Sequence, residues 1–249
     1  MNAPTVEKKR TAAVVTRRRR ERMFYIGMAL VAALTVFAGF SRTYFLKSYF
    51  GAPPLMPLLH LHGLVFTSWI VLLLTQTILV AANRTDIHRR LGIAGGVIAI
   101  LLIVIGALTA VIRASQGAAP PDGPPPLVFL VIPLFDMLVF SILVGAGFYF
   151  RRRPDMHKRL MLLATLSILS AAIARLPFEI LKAGAPAFFG LMDLFILGVL
   201  LYDLITRRRI HRATAWGTLL IVGSQPLRLM IGATSAWLTF AAWLTHWFS

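Results

Sequence analysis

Two arginines fall inside apolar runs that read as helices. Arg175 follows His157 by 18 residues and Arg228 follows His211 by 17. At about 1.5 Å per residue, both stand roughly 26 Å from the corner where their helix begins, in the outer third of a bilayer. Other ionisable residues reach that depth from other runs: Asp136, Asp193, and His60 and His62 at the start of a helix. Glu179 follows Arg175 by four residues and Gln225 precedes Arg228 by three, so each is expected to share its arginine's helix face. Ionisable groups in hydrocarbon are costly and need partners. Arg175 and Arg228 set against Asp136, Glu179 and Asp193 therefore form a mixed-charge cluster with two readings. One is interhelical salt bridges, or arginines that snorkel to the outer headgroups. The other is a pocket in which the guanidinium groups grip an acidic or quinone-like molecule while His60 or His62 and a carboxylate carry protons, in transport or redox chemistry. His60 and His62 are about 200° apart on a helix, so at most one of them faces such a pocket.

A second set of residues recurs at helical corners. Thr-Asp-Ile-His-Arg-Arg-Leu (85–91), Pro-Asp-Met-His-Lys-Arg-Leu (154–160) and Arg-Ile-His-Arg-Ala-Thr (209–214) place His88, His157 and His211 at one depth. Asp86 and Asp155 are positioned to cap the helices that follow. Neutral imidazoles facing one another across a helical bundle are the usual ligands of haem b. Among surface arginines, a histidine also serves simply to bond headgroups or a helix end. A metal site from the same histidines with Asp86 or Asp155 is disfavoured by the surrounding positive charge, and none is expected. With no cysteine, thiolate sites, iron-sulfur clusters and covalently attached c-type haem are excluded.

These residues need a bilayer to position them. The chain has 249 residues, 58% of them hydrophobic and 14% charged, a balance that a water-soluble globule cannot bury. About 20 apolar residues cross a bilayer as a helix. Seven spans are predicted, near 23–40, 59–82, 91–113, 127–150, 159–181, 188–206 and 213–235. The expected fold is an all-α integral membrane protein of seven transmembrane helices, one leading helix followed by three helical hairpins. Pro53, Pro54 and Pro57 break the connection before the second span, and Pro120, Pro121 and Pro124 to Pro126 the one before the fourth. Pro226 predicts a kink just before Arg228. Residues 236–248, with Trp237, Trp243 and Trp247, either prolong the last span or lie in the interface.

Charge sets the expected orientation. Of 26 lysines and arginines, 20 fall in the N-terminal tail and in the three histidine-bearing corners, on one side of the seven spans. The positive-inside rule makes that side cytoplasmic and places the C-terminus outside. Residues 1–22 read as a disordered basic tail that rests on anionic lipids, and residues 23–249 as a single transmembrane domain. The net charge of +17 is distributed as topological blocks, so nucleic acid is not an expected partner.

Retinal chemistry is excluded because the seventh span has no lysine for a Schiff base, and no phosphate loop or nucleophile elbow is present. His-Leu-His-Gly-x-x-Phe-Thr-x-Trp (60–69), Asp-Ile-His-Arg-Arg-Leu-Gly (86–92) and Asp-Met-His-Lys-Arg-Leu-Met (155–161) together resemble bacterial multi-pass inner-membrane proteins of unassigned function. That resemblance covers most of the chain after the basic tail and implies an inner-membrane location. A looser likeness to membrane b-type cytochromes rests on histidine placement alone. Three functions stay open: a small-molecule pocket in the outer half, a haem protein using His88, His157 and His211, or a structural or assembly partner without a ligand.

Overall fold

The computed structural model describes residues 3–120 and 123–248, with side chains from residue 15 onward. Pro121 of the predicted break, and the side chains of the first part of the basic tail, lie outside the described residues. The described chain is all helix and turn, without strands. Helix α1 (Ala3–Phe40) runs into a π-helical turn (Ser41–Phe45). It is followed by α2 (Pro57–Ala81), α3 (Thr85–Ser115), the single turn α4 (Pro126–Phe129) and α5 (Val131–Tyr149). Next come α6 (Pro154–Ser167), the short α7 (Ser170–Ile173) and a 3-10 turn (Glu179–Ala183). The chain closes with α8 (Ala185–Arg207), α9 (Arg212–Gly232) and α10 (Ser235–His246).

Six of these stretches are long and apolar enough to cross a membrane, and α9 with α10 qualifies as a bent pair. At about 1.5 Å per residue α9 rises roughly 31 Å, close to the thickness of the hydrocarbon core, and with the bent pair counted as one span the crossings number seven. The chain then turns by 84° into α10. Thr234 caps that helix by accepting from the Trp237 amide at 3.2 Å, and Trp243 and Trp247 stay exposed. The terminal tryptophans therefore lie across the end of the last span and do not lengthen it.

The backbone of α1 is helical from Ala3, through the basic segment that precedes the first span. Alanine, lysine, arginine and glutamate are good helix formers, and a helix already nucleated propagates readily. Two local expectations are corrected. The fifth span is interrupted at Ile168 and Leu169 and ends near Ala174, well short of 181. Pro177 disfavours helix at the residue before it, so Glu179 falls in the 3-10 turn and does not share a helix face with Arg175. Asp86 and Asp155 do not cap their helices: the caps are Arg84 and Arg153, and both aspartates sit in the first turn, where the helix dipole favours them. Helix α9, by contrast, stays helical through Pro226.

The α6–α7 span is the hub. Two thirds (67%) of its most apolar window is buried, against 22% for each of the first two spans. It packs on α5 and α9, with α1 and α8 completing its surround, while α2 and α3 form a pair that leans on α1 and α5. Trp69 of α2 donates its ring N–H to Thr165 at 3.0 Å and meets Phe140 edge-on at 5.1 Å, tying the outer pair to the hub. This satisfies the one polar atom of a large buried ring.

Helix α1 reaches the hub through Gly39, where an added Cβ lies 2.1 Å from the carbonyl oxygen of Ala172. Gly39→Ala is expected to push α1 off α7 and to cost roughly 1–3 kcal/mol or more. Gly27 of the same helix has nothing within 4 Å of an added Cβ, so Gly27→Ala is expected to be neutral. Unfolding temperatures of the two variants in detergent check this.

Candidate functional site

The outer-half residues assemble into two groups. The deeper one is built by α5, α7, α8 and α9. Arg228 is 1% exposed, and its Nη1 donates to Asp136 Oδ1 at 2.5 Å. Its Nη2 bonds Ser224 Oγ at 2.8 Å, and Nε bonds the Ser224 carbonyl at 3.3 Å. The second oxygen of Asp136 accepts from Ser170 Oγ at 2.6 Å. The rings of Phe135 and Phe189 flank the guanidinium, 5.8 and 5.0 Å from their centroids. One turn away, Gln225 Nε2 donates to Asp193 Oδ1 at 2.7 Å. The paired charges cancel and their donors and acceptors are matched, as a buried ion pair requires. This group locks α5, α7 and α9 together around a closed polar knot.

Arg175 lies elsewhere. It follows the end of α7, beyond the helix break, and no carboxylate among the described residues pairs with it. Its Nη1 bonds the Ala171 carbonyl at 2.6 Å, and its guanidinium covers the Phe40 ring at 4.9 Å. The side chain is exposed. The His62 ring stacks on Phe66 at 4.0 Å, and its Nδ1 is buried without a hydrogen-bond partner. His60 points away and is exposed, and its carbonyl accepts from Tyr44 Oη at 3.2 Å. Of the two histidines one faces inward, as their angular spacing requires. Glu179 is exposed and pairs with Lys182 at 2.6 Å, so it joins neither group.

A third polar group, at the opposite and basic end, includes two residues whose pairing sequence reasoning missed. Arg159 of α6 is completely buried and bonds Asp203 of α8 through Nε at 3.1 Å and through Nη2. Asp203 Oδ2 also accepts from the Thr214 hydroxyl and from the His211 amide at 3.1 Å. Arg159 reads in sequence as one more corner charge. Asp203 was readable as an acid set in the run Leu200-Leu201-Tyr202-Asp203-Leu204-Ile205. Around this knot, Asp155 binds Lys158 at 2.7 Å and Arg207 at 3.0 Å, and Lys158 also reaches Glu21 of α1.

The three corner histidines separate as well. His88 and His157 are each the fourth residue of a helix, and their ring centroids are 6.3 Å apart. His211 instead caps α9, its Nδ1 accepting from the Ala213 amide at 3.1 Å. Among the described residues no group of three histidine or acidic side chains converges on a metal position. Comparison with family models, with curated proteins and with solved structures gave no match.

Two outcomes follow from these contacts. Arg228→Ala leaves Asp136 buried and unpaired and is expected to cost about 3–5 kcal/mol, whereas Arg228→Met combined with Asp136→Leu recovers most of that loss. Denaturation of the three proteins in micelles measures it.

The second outcome concerns pH. Burial first, and then the charges of Arg159 and Arg207, hold His211 below the usual histidine value of about 6.5. As pH falls the unfolded chain therefore binds the proton before the folded one does. The stability given by the cap is complete above about pH 6.5 and declines below it. His211→Asn keeps a cap that does not titrate. The stability difference between wild type and this variant is expected to shift against wild type between about pH 7.5 and about pH 5, as followed by thermal unfolding.

Proposed function

We propose that this chain is a bacterial inner-membrane protein, with its N-terminus cytoplasmic and its C-terminus periplasmic, that binds a small acidic or quinone-like molecule through Arg175 and His62. The observation that carries the reading is that Arg175 stands exposed at the end of a span, over the Phe40 ring, with no carboxylate partner among the described residues. A guanidinium in that setting favours an anion or an electron-rich oxygen, and it presents a planar fork of donors to grip one. His62 adds a buried ring nitrogen whose hydrogen-bonding capacity is unused, which suits it to exchange a proton with a carboxylate or a quinone oxygen. Phe40 beside Arg175 and Phe66 beside His62 give each polar group an apolar neighbour, as small-molecule sites generally have.

The deep pair Arg228–Asp136 then serves as the brace behind Arg175. Ser170, which bonds Asp136, belongs to the short helix that ends just before Arg175. Asp193 and Gln225 belong to the same brace. Orientation rests on the positive-inside distribution of lysine and arginine. A molecule held at this level of the membrane is placed for transport or for redox exchange at the outer face.

The test uses the full chain in lipid nanodiscs, titrated with a short-chain ubiquinone analogue and with benzoate while tryptophan fluorescence is followed. Arg175→Gln is expected to weaken binding by tenfold or more, His62→Phe by less, and Lys182→Gln not at all. Equal binding by Arg175→Gln and Lys182→Gln overturns the reading and leaves Arg175 as a topological anchor.

A further inference from the structure

At the basic end of the bundle, away from Arg175, we propose that His88 and His157 are the axial ligand pair of a b-type haem. Both are fourth residues of their helices, on the same first turn of α3 and α6. Packing of α3 on α5, and of α5 on α6, brings the two turns together. The ring centroids stand 6.3 Å apart with planes at 81°. A nitrogen bonded to a metal at about 2 Å sets its ring centroid about 3 Å away, so two rings on opposite sides of one metal stand about 6 Å apart. The observed spacing admits one metal between the two rings.

The nitrogen chemistry agrees. His157 Nδ1 lies 2.8 Å from the Gly147 carbonyl oxygen. A carbonyl only accepts, so Nδ1 carries the proton and Nε2 keeps its lone pair, the tautomer that a metal-binding histidine needs. Gly147 lies in the last turn of α5, where carbonyls lack helical partners and are free to orient such a ring. At His88, Nδ1 is buried without a partner. Gln76 stands against it, donating Nε2 to the His88 carbonyl at 3.2 Å while its own Oε1 is also buried and unpartnered. His88 thus holds a buried ring nitrogen that the protein itself does not engage.

Donor count and charge separate haem from a bare cation. Two imidazoles without a third histidine or acid are a poor set for a divalent ion. A porphyrin brings four nitrogens of its own and needs only the two axial ligands. The exposed Arg89 and Arg90 beside one histidine, and Arg151 to Arg153 before the other, repel a free cation and complement the two propionate carboxylates. His211 is outside this site, engaged as the cap of α9.

The experiment is a titration of the full-length protein in detergent with haemin, read by absorption in the oxidised and dithionite-reduced states. The expected result is one haem per chain with a six-coordinate, low-spin spectrum in both states. His88→Ala and His157→Ala should each lose that signature and weaken binding by tenfold or more, with His211→Ala unchanged. His157→Met keeps a side chain that can ligate iron, so a six-coordinate but shifted spectrum from it supports the site even if an alanine variant misfolds. Absence of any Soret shift overturns the proposal. So does an unaltered spectrum in folded His88→Ala and His157→Ala, or saturable uptake of zinc or copper in place of haemin.

Discussion

The constraint on which this fold depends is that a charge held among apolar helices must find its opposite on another helix. Arg228 meets Asp136 across α9 and α5, and Arg159 meets Asp203 across α6 and α8. Each pair takes in neighbouring hydroxyls, Ser170 and Ser224 in one and Thr214 in the other. Apolar contact alone gives helices in lipid little reason to choose one neighbour over another, because lipid tails are as apolar as leucine. The two knots supply that choice. They sit near opposite ends of one four-helix group, and together they fix its register along the membrane normal.

The α6–α7 span is common to both knots, and its interruption follows from what it holds. Arg159 near its start and Ser170 after its break face different partners at different depths. A continuous helix carries both residues on faces dictated by a single pitch. The step at Ile168 and Leu169 resets that phase. It also lets the chain close on α1, where Gly39 admits the Ala172 backbone.

The apolar spans and the hairpin plan were legible because they depend on composition, and helical angle showed that at most one of His60 and His62 faces inward without showing which. The contents of the outer cluster were half legible. Depth counting found Arg228, Asp136, Asp193 and Gln225, but it assumed that the fifth helix continued past Pro177, and so it joined Glu179 to Arg175. The corner motif misled in a similar way. Repetition of Asp-x-His made three equivalent histidines, yet the Arg-Ile-His corner lacks the aspartate, and its histidine serves as the cap itself. Arg159 was hidden because a basic residue in a corner block reads as a topological charge. Only the position of Asp203 on a neighbouring helix reveals that its side chain turns inward.

The right-angle turn at Thr234 determines how the protein rides in its bilayer. A helix that crosses ends where a helix that lies flat begins, so the height of Trp243 and Trp247 above the midplane is set by the length of α9. With roughly 31 Å of rise beneath it, α10 meets the headgroup level of a bilayer whose hydrocarbon core is about 30 Å thick. A thicker bilayer pulls those rings down into the tails, and a thinner one lifts them clear of the interface they favour. The height of those rings is thus tied to the length of the helix that precedes them.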